Sequence, residues 1–121
     1  MLTKFTALTM GVLLSVSATA ADMATLTRQA QSGDAEAQYM LGAIYDYGYR
    51  VSQDSQKAIE WFTKAAHQGH AKAQYNLGWM YENGDGVRRN KSTAKRYFDQ
   101  ACDQGVQVAC NHYNELNLQG Y

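Results

Sequence analysis

The sequence lacks an excess of charge of either sign, since 11 basic and 11 acidic residues give a formal net charge of zero. One basic residue, Lys4, lies in the N-terminal segment, so the rest of the chain has one more acidic than basic residue. Nucleic acids and anionic membrane surfaces both select basic partners, and we predict neither as the ligand. The main basic cluster lies between residues 88 and 96, and we interpret it as a solvated loop and helix start.

The chain also lacks a long hydrophobic run. Its N-terminal apolar stretch, Phe5 to Val16, is shorter than the roughly 20 residues that a membrane-spanning helix needs. With Lys4 before it and small residues at 18–20 after it, the stretch has the pattern of a secretory signal peptide. We therefore predict that residues 1–20 are cleaved and that residues 21–121 form one small periplasmic or secreted domain, with no membrane insertion after cleavage.

Motifs of common active sites are missing as well. The sequence contains no G-x-S-x-G, no phosphate-binding glycine loop and no paired catalytic carboxylates. His67 and His70 flank Gly69 without a carboxylate or thiol ligand nearby in sequence, so we interpret them as surface residues and not as metal ligands. The sequence thus predicts no catalytic residue, no cofactor and no metal site.

What the sequence does contain is an internal repeat with a period of 36 residues, which superposes Gly33, Gly69 and Gly105. Other superposed pairs are Ala37 and Ala73, Leu41-Gly42 and Leu77-Gly78, Tyr45 and Tyr81, Phe62 and Phe98, and Ala65 and Ala101. A period of this length is typical of solenoids, whose units bury a face against the next unit. We predict an all-α fold, a short α-solenoid of helical hairpins.

Within one unit the pattern is helix, loop, helix. Ala73, Leu77 and Tyr81 recur at helical spacing and predict a buried stripe on the first helix. Gly78 on that stripe indicates a close approach of the second helix, because glycine inside a helix is unfavourable by roughly 1 kcal/mol. Asn90 is a suitable N-cap for the second helix, as Asp54 is one repeat earlier.

The repeat divides residues 21–121 into four parts. We predict a capping helix at 22–31, a first repeat at 33–66, a second at 69–102 and a partial C-terminal repeat at 105–121. The last helix is more polar than its counterparts, as a terminal capping unit should be. The prediction is therefore two full repeats with a capping helix at each end.

These residues resemble the Sel1-like repeats, helical hairpins related to the tetratricopeptide repeats. The resemblance lies in A-x-A-Q-x-x-L-G-x-x-Y at 35–45 and 71–81, in G-x-G-V at 84–87 and in K-A-x-x-W-F-x-K-A-A at 57–66. Two departures stand out: Arg50 replaces the second loop glycine of the first repeat, and Tyr113-Asn114 replaces Leu-Gly in the third. The resemblance implies an α-solenoid that acts as a protein-binding adaptor, scaffold or inhibitor.

The two cysteines flank a predicted helix bend. Cys102 ends one helix and Cys110 lies two turns into the next, so antiparallel packing can bring the thiols together. In an exported chain a disulfide is favoured, and zinc is the alternative, although the spacing is not C-x2-C and only His112 is near. The spacing also resembles that of the cysteine-rich Sel1-like proteins, in which this pair bridges successive helices.

An enzymatic alternative comes from the same resemblance, because some cysteine-rich Sel1-like proteins are described as β-lactam-binding or β-lactamase-like. Ser92 to Lys95 spells S-x-x-K and Tyr81 to Asn83 spells Y-x-N. The two motifs occur in the wrong order, without K-T-G, and Ala94 and Tyr81 are core positions of the repeat. We therefore predict a non-enzymatic module and keep the β-lactam-processing enzyme as the alternative.

The helical phase predicts where a protein or peptide partner binds. In stacked hairpins of the tetratricopeptide type the first helices line the concave side, which here carries aromatic residues among charged ones such as Glu36, Asp46 and Lys72. The predicted partner-binding residues are Tyr39, Tyr47, Tyr75, Trp79 and Glu82. Large aromatics ringed by charge are typical of binding hot spots. The alternative is that Tyr39 and Tyr75 pack between repeats and only Trp79 is free.

Overall fold

The computed structural model describes residues 22–121, and in that range the chain forms helices and no strands. Helix α1 covers residues 22–31, followed by α2 (Ala35–Tyr47), α3 (Ser55–His67), α4 (Ala71–Asn83), α5 (Lys91–Asp103) and α6 (Gln107–Leu118). Helices α2 to α6 pack chiefly against their neighbours in the chain, as in a short solenoid. The predicted all-α solenoid fold is confirmed, and the predicted signal peptide lies outside the described residues.

Polar side chains begin four of the helices. The carboxylates of Asp34 and Asp54 and the amide oxygen of Asn90 accept hydrogen bonds from the backbone N–H of the third residue of α2, α3 and α5, respectively. At α4 the same role falls to His70, whose Nδ1 accepts from Ala73 N–H at 3.3 Å. The N-caps predicted at Asp54 and Asn90 are confirmed, because each occupies a donor that the helix itself leaves unpaired.

The core consists of aromatic and aliphatic side chains layered along the solenoid. Phe62 and Phe98 are fully buried, Leu77 of the second hairpin packs in the same cluster as Phe62 of the first, and Leu41 packs with Ala30 and Ala37. Burying one such side chain contributes about 1.5 to 3 kcal/mol, so these positions also hold neighbouring units together. Tyr81, predicted on the buried stripe, is only half-buried, and its ring stacks on Tyr97 with the centroids 5.8 Å apart.

Two glycines allow the helices of each hairpin to approach closely. A Cβ atom built on Gly42 would lie 2.6 Å from Phe62 Cδ1, and one on Gly78 would lie 2.6 Å from Phe98 Cε1. Carbon atoms do not approach so closely, and a side chain at either position would push the phenylalanine out of its place. The close approach predicted from Gly78 is therefore confirmed, and it recurs in both repeats.

The loops inside the two hairpins have the same course although their sequences differ. Gly48 and Gly84 end α2 and α4 in the left-handed conformation, with φ of 70° and 72°. Two residues later Gly86 has φ of 71°, and Arg50 at the equivalent place has φ of 61°. The loop geometry thus survives the replacement of glycine by arginine, although a residue with a Cβ is strained in this region.

No helix within residues 22–121 is long and apolar enough to cross a membrane.

Candidate functional site

A groove of about 440 Å³ lies between the C-terminal end of α2 and the outer face of α4, and we call it the α2–α4 groove. Its lining residues are Asp46, Tyr47, Gln53, Tyr75, Asn76, Trp79, Met80 and Asp85. Repeat stacking builds it, because α2 and the loop after it belong to one hairpin and α4 with its own loop to the next. The groove therefore exists only where two units meet.

Three aromatic residues line the α2–α4 groove, and two of them are exposed. Tyr47 is 83% exposed and Trp79 is 45% exposed, whereas Tyr75 is half-buried, with its ring centroid 5.8 Å from that of Phe98. Large exposed aromatics held on rigid helices provide contact area with few rotamers to immobilise. This combination is typical of an interaction surface.

Two carboxylates share the groove with the rings. Burial raises the pKa of Asp46 above its usual value, and the nearby charge of Asp85 raises it further. Ser55 Oγ donates to Asp85 Oδ1 at 3.2 Å, and Gln53 donates to the backbone oxygen of Asp46 at 2.8 Å. The folded protein thus holds two like charges close together on one partly desolvated surface.

Three of the predicted partner-binding residues, Tyr47, Tyr75 and Trp79, lie together in the α2–α4 groove, and Tyr39 and Glu82 lie outside it. Tyr39 packs between repeats, stacked on His70 with the ring centroids 4.6 Å apart. Burial, together with the charges of Tyr47 and Glu36, raises the pKa of the Tyr39 phenol, and a hydrogen bond with Asn76 opposes that shift.

The Glu82 carboxylate points towards α6, where its Oε2 lies 3.2 Å from His112 Nδ1. It therefore takes part in the contact between the second repeat and the last helix. The predicted partner-binding residues that lie in the groove are all aromatic. The carboxylates of the groove belong to Asp46 and Asp85, not to Glu82.

The interpretation of His70 as a surface residue is wrong. Its side chain is only 13% exposed, and Nε2 lies 2.6 Å from Glu36 Oε2, a carboxylate 34 positions earlier in the chain. Stacking of the repeats brings this distant carboxylate to the imidazole, which the local sequence around Gly69 does not show. His67 is exposed, and within residues 22–121 no group of three or more potential ligand side chains could hold a metal ion.

The two cysteines close the bend between α5 and α6. Their sulfur atoms are bonded, and the Cα atoms of Cys102 and Cys110 are 4.7 Å apart. At the equivalent places of the two earlier bends a glutamine replaces the second cysteine. Gln38 donates to the Ala30 carbonyl at 3.0 Å and Gln74 to the Ala66 carbonyl at 3.2 Å.

The S-x-x-K sequence does not form a catalytic pair. Ser92 is exposed, and Lys95 Nζ donates to Asn117 Oδ1 at 2.8 Å and to the backbone oxygen of Tyr121. The same ammonium lies 5.4 Å from the centre of the Tyr113 ring. A lysine bound in this way fastens the C-terminal residues to α5 and is poorly placed to take a proton from Ser92. The β-lactam-processing alternative is therefore not favoured.

Some lining residues have no counterpart in the predicted set. Asp85 and Gln53 come from the loops after the first helices, and Asn76 and Met80 come from α4. Asn76 and Met80 follow Tyr75 and Trp79 by one residue, which places them about 100° further around the helix, so the phase that selects Tyr75 and Trp79 does not select them. Asp85 lies in the loop between Gly84 and Gly86, which both have positive φ, and it lines the groove from that loop.

Helical hairpins stacked in register, with a groove between consecutive first helices, define a short α-solenoid of the repeat-protein class. The profile of the Sel1 repeat family matches residues 35–70 and 71–106. These two matches cover more than half of the sequence, and the chain belongs to the Sel1 repeat family. A comparison with curated protein sequences finds no match.

Solved structures give the same assignment. The chain is similar to a Sel1 repeat protein from Oxalobacter formigenes, with 33% identity and a TM-score of 0.74 over 82% of this chain and 74% of that one. It is also similar to c5321, a protective antigen of uropathogenic Escherichia coli (32% identity, TM-score 0.69), covering 82% of this chain but only 26% of the antigen. A third is Helicobacter pylori cysteine rich protein B, with 28% identity and a TM-score of 0.68 over 71% of this chain and 65% of that one.

Proposed function

We propose that this chain is an exported protein-interaction module that binds a peptide segment of a partner protein in the α2–α4 groove. Sel1 repeats generally mediate protein–protein interactions. The observation that carries the proposal is the exposure of Trp79 and Tyr47 on rigid helices at the junction of two repeats. A partner that covers these rings would remove apolar area from water at about 25 cal/mol per Å².

Export is the second part of the proposal. Disulfides persist in oxidising compartments, and the bonded pair at Cys102 and Cys110 fits the leader predicted at residues 1–20. A cysteine-rich protein among the similar structures agrees with such a location. We place the module in the bacterial periplasm or outside the cell, where it would act as an adaptor, scaffold or inhibitor without catalysing a reaction.

The binding part is tested by capture from the native envelope. The chain is expressed with its leader, collected after export and used as bait, alongside the variants Trp79→Ala, Tyr47→Ala and Leu118→Ala. Leu118 is 88% exposed on α6, outside the groove, and serves as the matched control. Partners identified by mass spectrometry should be lost with the two groove variants and kept with the control, while circular dichroism shows unchanged helicity. Equal capture by all four proteins would exclude the groove as the binding site.

The export part is tested by intact-mass analysis without reductant. The exported chain should begin at Ala21 and weigh less than the reduced form by two hydrogen atoms. A chain that retains the leader, or one whose two thiols react with an alkylating agent, contradicts export with an oxidised pair.

A further inference from the structure

The α2–α4 groove differs from other aromatic surfaces of the molecule in having no cation over its rings. Elsewhere in residues 22–121 an arginine or lysine lies within 5.5 Å of a tyrosine or tryptophan ring centre in five places. The five pairs are Arg50 with Tyr49, Lys57 with Tyr45, Lys64 with Trp61, Lys91 with Tyr121 and Lys95 with Tyr113. None of these cations lies over Tyr47, Tyr75 or Trp79. The groove therefore holds aromatic rings, which attract cations, and the described residues place no cation over them.

The junction between the second repeat and α6 also shows that the groove lacks a positive charge. Glu82 in the second repeat is equivalent to Asp46 in the first, and Glu82 lies 3.2 Å from the imidazole of His112. The residue equivalent to His112 in the groove is Asn76, whose neutral amide cannot balance a carboxylate. Glu82 thus has beside it a side chain able to carry positive charge, whereas Asp46 does not, because the histidine of the first junction, His70, lies beside Glu36 instead.

The Asp46 carboxylate of the groove is destabilised by its surroundings. Burial and the charge of Asp85 both raise the pKa of Asp46, which means that the ionised form is less favourable here than in water. Asp46 and Asp85 are also the only groove-lining residues that are charged at neutral pH. A cation placed between them would relieve their repulsion and donate charge-assisted hydrogen bonds to the carboxylates.

From these observations we infer that the α2–α4 groove recognises a cationic side chain of its partner, an arginine or a lysine, held between Asp46 and Asp85 and against Trp79. This inference rests on the proposed function and adds to it the chemistry of the partner segment. Arginine suits the site better than lysine, because its planar guanidinium can stack on an indole while donating to carboxylates. Lysine offers only a point charge.

The test uses two short probes of nearly the same shape, of which one carries a positive charge and the other does not. Acetyl-Gly-Arg-Gly-amide carries the guanidinium, and acetyl-Gly-citrulline-Gly-amide replaces it with a neutral urea of nearly the same shape. Each is titrated into the exported chain while the Trp79 indole N–H is followed by NMR, with the indole of Trp61 on α3 as the internal reference. The arginine probe should shift the Trp79 signal and bind at least about fivefold more tightly than the citrulline probe, as expected for a partly exposed ion pair with a cation–π contact.

Matched variants separate charge from shape. Asp46→Asn and Asp85→Asn should each weaken the arginine probe by about threefold to tenfold, because each removes one carboxylate from a partly exposed pair. Glu60→Gln removes a carboxylate from the exposed face of α3 and should leave binding unchanged. Asp46→Asn has a second expected effect, a rise in the melting temperature of the free protein at neutral pH, because folding disfavours the charge that is removed.

Two results would overturn the inference: equal binding of the citrulline and arginine probes, or no shift of the Trp79 signal by the arginine probe at about 10 mM. These results are separable from a failure of the proposed function. If Trp79→Ala still abolishes capture of envelope partners while the two probes bind equally, the groove is an interaction site without preference for a cation. If Trp79→Ala retains capture, the proposed function itself fails.

Discussion

Three bends join successive units, and they share one backbone conformation. The bend between α5 and α6 is closed by a disulfide, whereas each of the two earlier bends is closed by a glutamine hydrogen bond. Gly33, Gly69 and Gly105 have φ of 104°, 88° and 92°, and the N–H after each glycine donates to the fifth residue before it, at 3.0 to 3.1 Å. In the first two bends a glutamine then bonds across the turn, and in the third a disulfide does so. The backbone thus determines the bend, and the spanning pair determines how firmly it is held.

The glutamines also connect one bend to the next. Gln68 donates to the amide oxygen of Gln38 at 2.8 Å, and Gln104 donates to that of Gln74 at 2.6 Å, so each bend is bonded to the preceding one. Gln38 and Gln74 are almost fully buried, where an unpaired amide would be costly. The disulfide closes its own bend but adds no such connection. The glutamine hydrogen bonds therefore connect successive bends, and the disulfide holds the last bend closed.

The largest expected effect comes from removing the covalent closure. Cys102→Ala with Cys110→Ser should lower the free energy of unfolding by about 2 to 3 kcal/mol in urea without reductant, because the unfolded chain regains the freedom of the closed loop. The control is Cys102→Ala with Cys110→Gln, which gives the third bend the residues of the first two. It should recover about 1 kcal/mol through the restored hydrogen bond. Equal stability of the wild type and the alanine–serine variant would show that the disulfide contributes nothing.

Features that depend on contacts within one repeat could be predicted from the sequence, and features that depend on contacts between repeats could not. The 36-residue period predicts two helical hairpins, and the structure has them as α2 with α3 and α4 with α5. Gly42 and Gly78 indicate that the second helix of each hairpin approaches closely, because a glycine inside a helix is otherwise unfavourable. Local spacing carries this information, and it needs no knowledge of how the repeats stack.

The candidate site was predicted only in part, because stacking decides it. Asp46 and Asp85 lie 39 positions apart and meet through contacts between repeats, which no local pattern encodes. The burial of His70 depends on Glu36 and Tyr39 of the previous unit. Equivalent side chains can also face different partners, as Glu82 and Asp46 do. Helical phase identified the face of α4, and the three-dimensional arrangement selected which residues on that face share a groove.

A smaller effect is expected when the polar closure of an inner bend is removed. Gln74→Leu leaves the Ala66 carbonyl and the Gln104 amide without their partner, and the unfolding free energy should fall by about 1 to 2 kcal/mol. Gln38→Leu is the matched variant in the first bend and should have a similar effect, since it loses the same two bonds. Urea unfolding of both variants measures this. If either variant equals the wild type, apolar contacts of the leucine replace the hydrogen bonds in full.

The smallest effect concerns the loops, where the first repeat has Arg50 at the place of Gly86. Because Arg50 has φ of 61°, Arg50→Gly should relieve about 1 kcal/mol of backbone strain. Part of this gain is lost, because glycine adds freedom to the unfolded chain and the contact of Arg50 with the Tyr49 ring at 5.2 Å disappears.

The net expectation for Arg50→Gly is a gain of about 0.5 kcal/mol in thermal or urea unfolding. Arg50→Ala is the control, because it removes the ring contact and keeps the strain, and it should not stabilise the protein. The reciprocal change, Gly86→Ala, should destabilise, since the added Cβ would be strained and would lie 2.5 Å from Ser55 Cβ. A loss of stability in Arg50→Gly would mean that the cation–π contact outweighs the strain and that the arginine itself maintains the first loop.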